Sequence, residues 1–325
     1  MRIVGGEAVG GHRSAIQPPA FSPDGWRFVS GDGAGWVIVR ERRGNGFATA
    51  ARVQAPAAGP YSNPQVRAVA WADSGLVVAH EHGAIRVRSA GELAEVHAQP
   101  NVGTGPLAVG GGGAWLAALS DSSVHVLGLP GLERRGLHLL ARDGFEYFRT
   151  TTVAADPSGP LLAVGDDGGC DETAMGARLR SGAPRVTLLD AGRGEVVGAM
   201  EVGGHVHQLS WDPWRGHVVF ATYGAVEAWT AAGKLVRRFR PYESTYATTF
   251  TITERWLATA ARHAYNHATL DLWDAAALTR LASIDLPGGI PPRWIAATPD
   301  GRSLLTPRRP EGGDFGIQLW SLVDD

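Results

Sequence analysis

Apolar and polar residues alternate along this chain in short runs, and the runs recur. One series reads WRFVSGD, GLVVAHE, AWLAALSD, PLLAVGDD, HVVFATYG, RWLATAAR and RSLLTPRR, each a brief apolar stretch ending in small or polar residues. The next reads WVIVR, AIRVR, SVHVL, RVTLL, AVEAW, TLDLW and GIQLW. Its period of two is that of a half-buried strand, whose side chains point to opposite faces in turn. A weaker series follows most copies, as in LAEVHA, GEVVGAM, GKLVRRF and LTRLASI. Tight turns precede the first series at Pro23-Asp24-Gly25, Asp73-Ser74-Gly75, Pro157-Ser158-Gly159 and Pro299-Asp300-Gly301. Degenerate copies stand at Gly112-Gly113, Pro213 to Gly216 and Thr253 to Arg255. No stretch sustains the 3.6-residue period of a helix.

The turns return about every 46 residues, and seven copies fill the chain. Four strands per copy predict an all-β fold: a seven-bladed β-propeller of four antiparallel strands per blade, one domain over 1–325. A lone blade cannot bury both faces of its sheet, but neighbouring blades can. The last copy ends at GIQLWSLVDD without a fourth strand, and the chain opens with a spare strand-like piece, Arg2-Ile3-Val4. This piece at 2–4 is expected to complete the last blade, which removes an open seam.

Composition narrows the class. The 44 Gly and 20 Pro suit many turns, and 44% hydrophobic residues suffice for a core. Thirty basic against 32 acidic residues leave a net charge of −2, which argues against nucleic-acid binding. The single cysteine, Cys170, excludes an intramolecular disulfide framework and suits a reducing cytoplasm. The opening MRIVGGEAVGGHRSA lacks the apolar core of a secretory signal. No apolar run is long enough to cross a bilayer. Lys234 is the only lysine, and with abundant Ala and Gly this is the composition of a GC-rich bacterial genome.

The repeats resemble those of WD40 proteins over nearly the whole chain. Trp273-Asp274 is a WD dipeptide at the end of a third strand, and Trp229 and Trp320 hold the same place without the Asp. Gly11-His12 and Gly204-His205 stand where that family places its GH dipeptide. The resemblance implies a structural network of His, Ser or Thr, Asp and Trp within a blade. No blade holds the full set. Blade five offers His205, Thr222 and Trp229, with Tyr223-Gly224 in place of the Asp; blade one offers His12, Ser30 and Asp32, with Arg40 in place of the Trp.

Loop lengths point to a working face. Loops from strand one to two and from three to four are short. Those on the other face are long, at 53–65, 97–106, 138–149, 240–247 and 286–292. Loops from strand two to three are extended at 166–184 in blade four, 262–268 in blade six and 307–315 in blade seven. Long loops gathered on one side are where binding residues concentrate. Tyr61, Tyr147, Tyr242 and Tyr265 are the candidate aromatic anchors there, with Arg262, Arg308 and Arg309 beside them. Phe145, Phe148 and Tyr246 are expected to tuck under their own loops.

Eight residues before the turn glycine, four clear copies carry Gln17, Arg67, Thr151 and Arg293, all polar and all at the start of an innermost strand. Arg149 and His207 lie near the same level. Arginines around one axis would hold an anionic group such as a carboxylate. The competing reading has loop acids, Glu146, Asp171, Glu172 and Glu243, neutralise them.

Catalytic constellations are weak. His263 and His267 form an HxxxH, which carries metal-site meaning on a helix but not in a strand-two-to-three loop. Asp166, Asp167, Asp171 and Glu172 surround Cys170 without a calcium-loop ligand series, and those acids would suppress a thiolate. The glycines at 110–113 have no following Lys or helix to make a phosphate loop. The expectation is a non-catalytic scaffold with no catalytic residue, metal or cofactor. Its partner would be a protein or peptide bearing an acidic group for the channel mouth, not nucleic acid or membrane. The chain would be a monomer by itself or a subunit of a hetero-complex. The alternative is a small-ligand receptor or a hydrolase/lactonase-type propeller enzyme using the same mouth.

Overall fold

The computed structural model describes residues 1–57, 64–72, 75–81, 83–102, 105–120, 123–140, 150–168, 170–172, 178–181, 183–222, 224–242, 248–264, 267–286, 291–308 and 315–324. These residues form seven four-stranded antiparallel sheets and one two-stranded ladder, with no helix among them. Two compact units divide the chain: Met1–Pro100 with Ser244–Asp325, and Asn101–Glu243.

The first unit holds four sheets. Blade one comprises Ala20–Phe21, Arg27–Gly31, Trp36–Arg43 and Gly46–Gln54, and blade two Val66–Ala72, Leu76–Glu81, Ala84–Ser89 and Glu95–Pro100. Blade six comprises Thr248–Ile252, Trp256–Ala264, His267–Asp274 and Arg280–Asp285. Blade seven takes Ala296–Ala297, Ser303–Arg308 and Phe315–Val323, with Arg2–His12 as its outer strand. The second unit holds three sheets. They are blade three (Leu107–Gly110 to Arg134–Leu139), blade four (Thr150–Ala155 to Glu195–Glu201) and blade five (Gln208–Asp212 to Leu235–Phe239).

Burial follows the strand series. The middle strand Leu76–Glu81 is buried almost throughout, while the outer strand Glu95–Pro100 is exposed almost throughout. Apolar side chains from neighbouring sheets fill the space between them. Val29, Val37 and Val39 of blade one pack with Val66, Trp71 and Val77 of blade two. Leu119 and Val126 of blade three meet Val153 and Leu162 of blade four in the same way. Each such side chain contributes about 1.5–3 kcal/mol relative to exposure. The sheets approach closely: a Cβ on Gly31 would lie 2.3 Å from Val66 Cγ1, so only glycine fits there.

The first turns are built by a repeated device. The Ser22 hydroxyl donates to Asp24 Oδ1 at 2.5 Å and accepts the Arg27 N–H, while Gly25 takes a φ of +69°. Thr298, Asp300 and Gly301 reproduce it in blade seven: Thr298 Oγ1 donates to Asp300 Oδ1 at 2.6 Å and accepts Ser303 N–H. A short polar side chain thus substitutes for backbone partners, and glycine supplies the left-handed residue.

Arg2–His12 pairs antiparallel with Phe315–Val323, from Arg2 opposite Val323 to His12 opposite Phe315. The piece expected at 2–4 is the start of an 11-residue strand. Gly5, Gly6, Gly10 and Gly11 break the apolar alternation, and the register slips at Gly5/Ala8 and Val9/His12, so the pattern under-reads its length. The segment 166–184 carries its own ladder, Cys170–Glu172 against Arg178–Ser181. Strands run into the expected loop 262–268 from both sides, ending at Ala264 and restarting at His267.

Candidate functional site

Blade one carries a buried polar chain. His12 Nδ1–H donates to Asp32 Oδ2 at 3.0 Å, and His12 Nε2 accepts from the Ser30 hydroxyl at 2.9 Å. Arg40 Nη1 donates to Ser30 Oγ at 2.6 Å, and its Nη2 donates to Gly10 O at 2.7 Å. Asp32 also accepts the backbone N–H groups of Arg13, Ala34 and Trp36. All four side chains are buried. Burial, and then the positive charge of Arg40, hold His12 below its usual range despite Asp32. Burial alone brings Arg40 down to about 10. Burial raises the Asp32 carboxyl, but the hydrogen bonds from His12, Trp36 and Arg13 outweigh it and keep the group below its usual value. Ser30, His12 and Asp32 are connected in the order of a hydrolytic triad. Ser30 and Asp32 are 0% exposed and His12 1%, and the serine hydroxyl faces a guanidinium, so no substrate reaches it.

The equivalent positions elsewhere follow the same plan with different donors. Trp273 Nε1 donates to Thr259 Oγ1 and Trp320 Nε1 to Thr306 Oγ1, each at 2.9 Å. Asp274 caps the following turn by accepting the N–H groups of Ala276 and Ala277. Blade two replaces the tryptophan with Arg88, which grips buried Glu81 through Nε and Nη2 at 2.9 Å each. Blade five departs from the expected set. Trp229 donates to Glu227 Oε2 at 2.9 Å rather than to a strand-two hydroxyl, because Phe220 stands at the place Thr259 holds in blade six and stacks on its ring. Thr222 lies buried at the strand end, and His205 is exposed.

Four arginines of the first unit, Arg13, Arg52, Arg67 and Arg293, reach solvent. Arg67 sits at a bulge where the register jumps from Val66 to Ala68, which turns its side chain outward. Val66 is anchored there by its N–H to Asp32 O at 3.0 Å. Arg293 is exposed next to buried Trp294, whose Nε1 donates to Ile16 O at 2.8 Å. Gln17 follows Ile16 and is half-buried, with its N–H on Gly31 O. Blade one therefore fastens the backbones that carry both arginines. Arg13 and Arg52 are exposed and flank the Trp36 ring at 5.8 and 5.3 Å. This cation–aromatic stack was not singled out from the sequence; Trp36 opens the third strand, where the alternation marks it only as a strand residue. None of these four arginines makes an ion pair among the described residues.

The other positions expected at the mouth differ. Thr151 occupies an equivalent bulge in blade four, but its hydroxyl donates to Val206 O at 3.0 Å and is engaged. Arg308 is exposed; Tyr242 and Arg262 are partly buried and each has polar or ring partners. Tyr61, Tyr147, Arg149, Tyr265 and Arg309 lie outside the described residues, as do Glu146 and Glu243. Among the described residues no three His, Cys, Asp or Glu side chains converge to hold a metal. His263 and His267 face each other across a hairpin, ring centroids 5.2 Å apart, with separate partners in Thr269 and Asp285. No helix of the described residues is long and apolar enough to cross a membrane.

No protein-family model and no curated protein matches this chain. Among solved structures it is similar to the β-propeller domain of Cps50 (Swd1) from Myceliophteria thermophila. The TM-score is 0.72 at 15% identity, over 98% of this chain and 99% of that one. The fold is a seven-bladed β-propeller. In all, 1474 solved chains resemble it, so the likeness establishes architecture and leaves the role of this propeller to its own side chains.

Proposed function

We propose that this propeller is a non-catalytic interaction module that binds a protein or peptide partner where Arg67 and Arg293 emerge beside blade one. The observation that carries the reading is that both arginines are exposed and make no ion pair among the described residues, on backbones held by buried hydrogen bonds. Such preorganised cations bind with less ordering cost than flexible ones, and arginine suits a carboxylate fork. The complement is therefore an acidic segment. The buried state of the Ser30–His12–Asp32 chain supports recognition over catalysis.

The test is affinity capture from the native lysate with the wild type and with Arg67→Glu/Arg293→Glu. A defined protein recovered by the wild type and lost in the equally stable double variant supports the reading. Equal recovery by both would sink the site. A folded wild-type bait that recovers nothing, but is stabilised by small carboxylates, would move the assignment to a small-ligand receptor.

A further inference from the structure

The outer strands of blades four and five carry matched patterns of opposite charge. Blade four's is Glu-Val-Val-Gly-Ala-Met-Glu over 195–201. Blade five's is Lys-Leu-Val-Arg-Arg-Phe-Arg over 234–240. Each strand is hydrogen-bonded on one side only. Charges open and close both segments at the same spacing: Glu195 and Glu201 on one, Lys234 and Arg240 on the other. All four are exposed and make no ion pair among the described residues. Two exposed apolar residues follow the first charge in each case. Val196 and Val197 are 60% and 50% exposed, Leu235 and Val236 37% and 48%. The register irregularity also falls at the same place, Val197 in one and Val236 in the other. The two blades are neighbours: they share one apolar cluster, and Gly198 lies against Ala231 O.

We infer that a second copy of this chain docks here, its blade four against blade five of the first and its blade five against blade four. Charged residues on edge strands commonly keep edges apart, and either sign serves that purpose. Opposite signs at equal positions on adjacent blades instead make the surface complementary to itself. A two-fold axis running along the strands places each acidic edge beside a basic edge twice, which closes the assembly as a dimer. The paired edges then run in the same direction, so Glu195 meets Lys234, the valine pair meets Leu235 and Val236, and Glu201 meets Arg240. The bulges prevent a continuous backbone ladder, so side chains make the contact. Exposed ion pairs contribute little singly and are screened by salt, so the dimer is weak and favoured at low ionic strength. This association differs from the monomer or hetero-complex subunit expected from the sequence.

Sedimentation equilibrium of the full chain tests it. The average mass should rise above 34.3 kDa with concentration at low salt and fall back as salt is added. Lys234→Glu/Arg240→Glu and Glu195→Lys/Glu201→Lys should each weaken association by about tenfold or more. An equimolar mixture of the two variants should restore it, because every like-charge contact becomes an opposite-charge contact. A chain that stays monomeric at low salt and high concentration overturns the proposal, as does a dimer indifferent to both reversals. Separate variants that are monomeric but fail to associate when mixed also overturn it. All four positions are exposed, and unchanged far-ultraviolet circular dichroism verifies folding.

Discussion

Arg40 and Ser30 are 2.6 Å apart in the interior of blade one, where blades six and seven set Trp273 on Thr259 and Trp320 on Thr306. A guanidinium thus performs the task of an indole N–H, at the cost of burying a charge. Truncation tests the packing and the charge separately. Arg40→Ala should lose about 3 kcal/mol in urea unfolding, from the cavity and the abandoned Ser30 and Gly10 acceptors. Arg40→Trp restores a donor without charge and should lose less. Equal losses would show that the guanidinium itself is required.

The same network makes stability sensitive to acid. The folded-state pKa of His12 lies below the ordinary 6.5, so the unfolded chain binds the proton first. Its contribution is complete above about pH 6.5 and is lost as pH falls below that value, through the folded-state pKa. Asp32 acts later: its depressed pKa makes a contribution that fades as pH drops below about 4. Urea midpoints measured from pH 8 to pH 5 should fall for the wild type and fall less for His12→Gln. A flat wild-type profile would show that the buried imidazole is not linked to folding.

Blade two offers a cleaner charge test. Glu81→Gln leaves Arg88 buried without its carboxylate and should cost about 3–5 kcal/mol. Arg86 also pairs with Glu81 but is more exposed, so adding Arg88→Met removes the more buried of the two cations and the double variant should be more stable than Glu81→Gln alone. Thermal unfolding of the wild type, both single variants and the double variant measures the coupling; strict additivity would contradict it.

Trp294 ties blade seven to blade one through Ile16 O. Trp294→Phe keeps an aromatic ring but leaves that buried carbonyl unpaired, a loss of about 1–3 kcal/mol. Hydrogen exchange should rise at Gln17 and Gly33, whose N–H groups donate to Gly31 O and Ala15 O on either side of Ile16. Unchanged exchange there would place the tie outside the anchoring of the mouth.

The fold was legible because its signals are local. Turn glycines and the period of two place the strands, and the spare segment at the start of the chain reveals a pairing with Phe315–Val323. The network was legible only in part. His12, Ser30 and Asp32 stand at their expected spacing, but nothing local says that Arg40 would bend onto Ser30 or that Phe220 would deny Trp229 a hydroxyl. The expected mouth is legible in part: counting back from turn glycines finds Arg67 and Thr151 as equivalents, yet only the fold leaves the Arg67 side chain to solvent and binds the Thr151 hydroxyl to Val206 O. The complementary edges are not legible strand by strand, because their meaning lies in comparing two outer strands, each ordinary by itself.

The strand Arg2–His12 has a consequence for the order of assembly. Its partner Phe315–Val323 leaves the ribosome about 300 residues after it. Its final residue, His12, is also the hub of blade one's buried network. Native seating of blade one in its finished form is therefore coupled to a strand synthesised about 300 residues later. Pairing at such separation carries a large loop-closure entropy, so closure belongs to the slow, late part of folding.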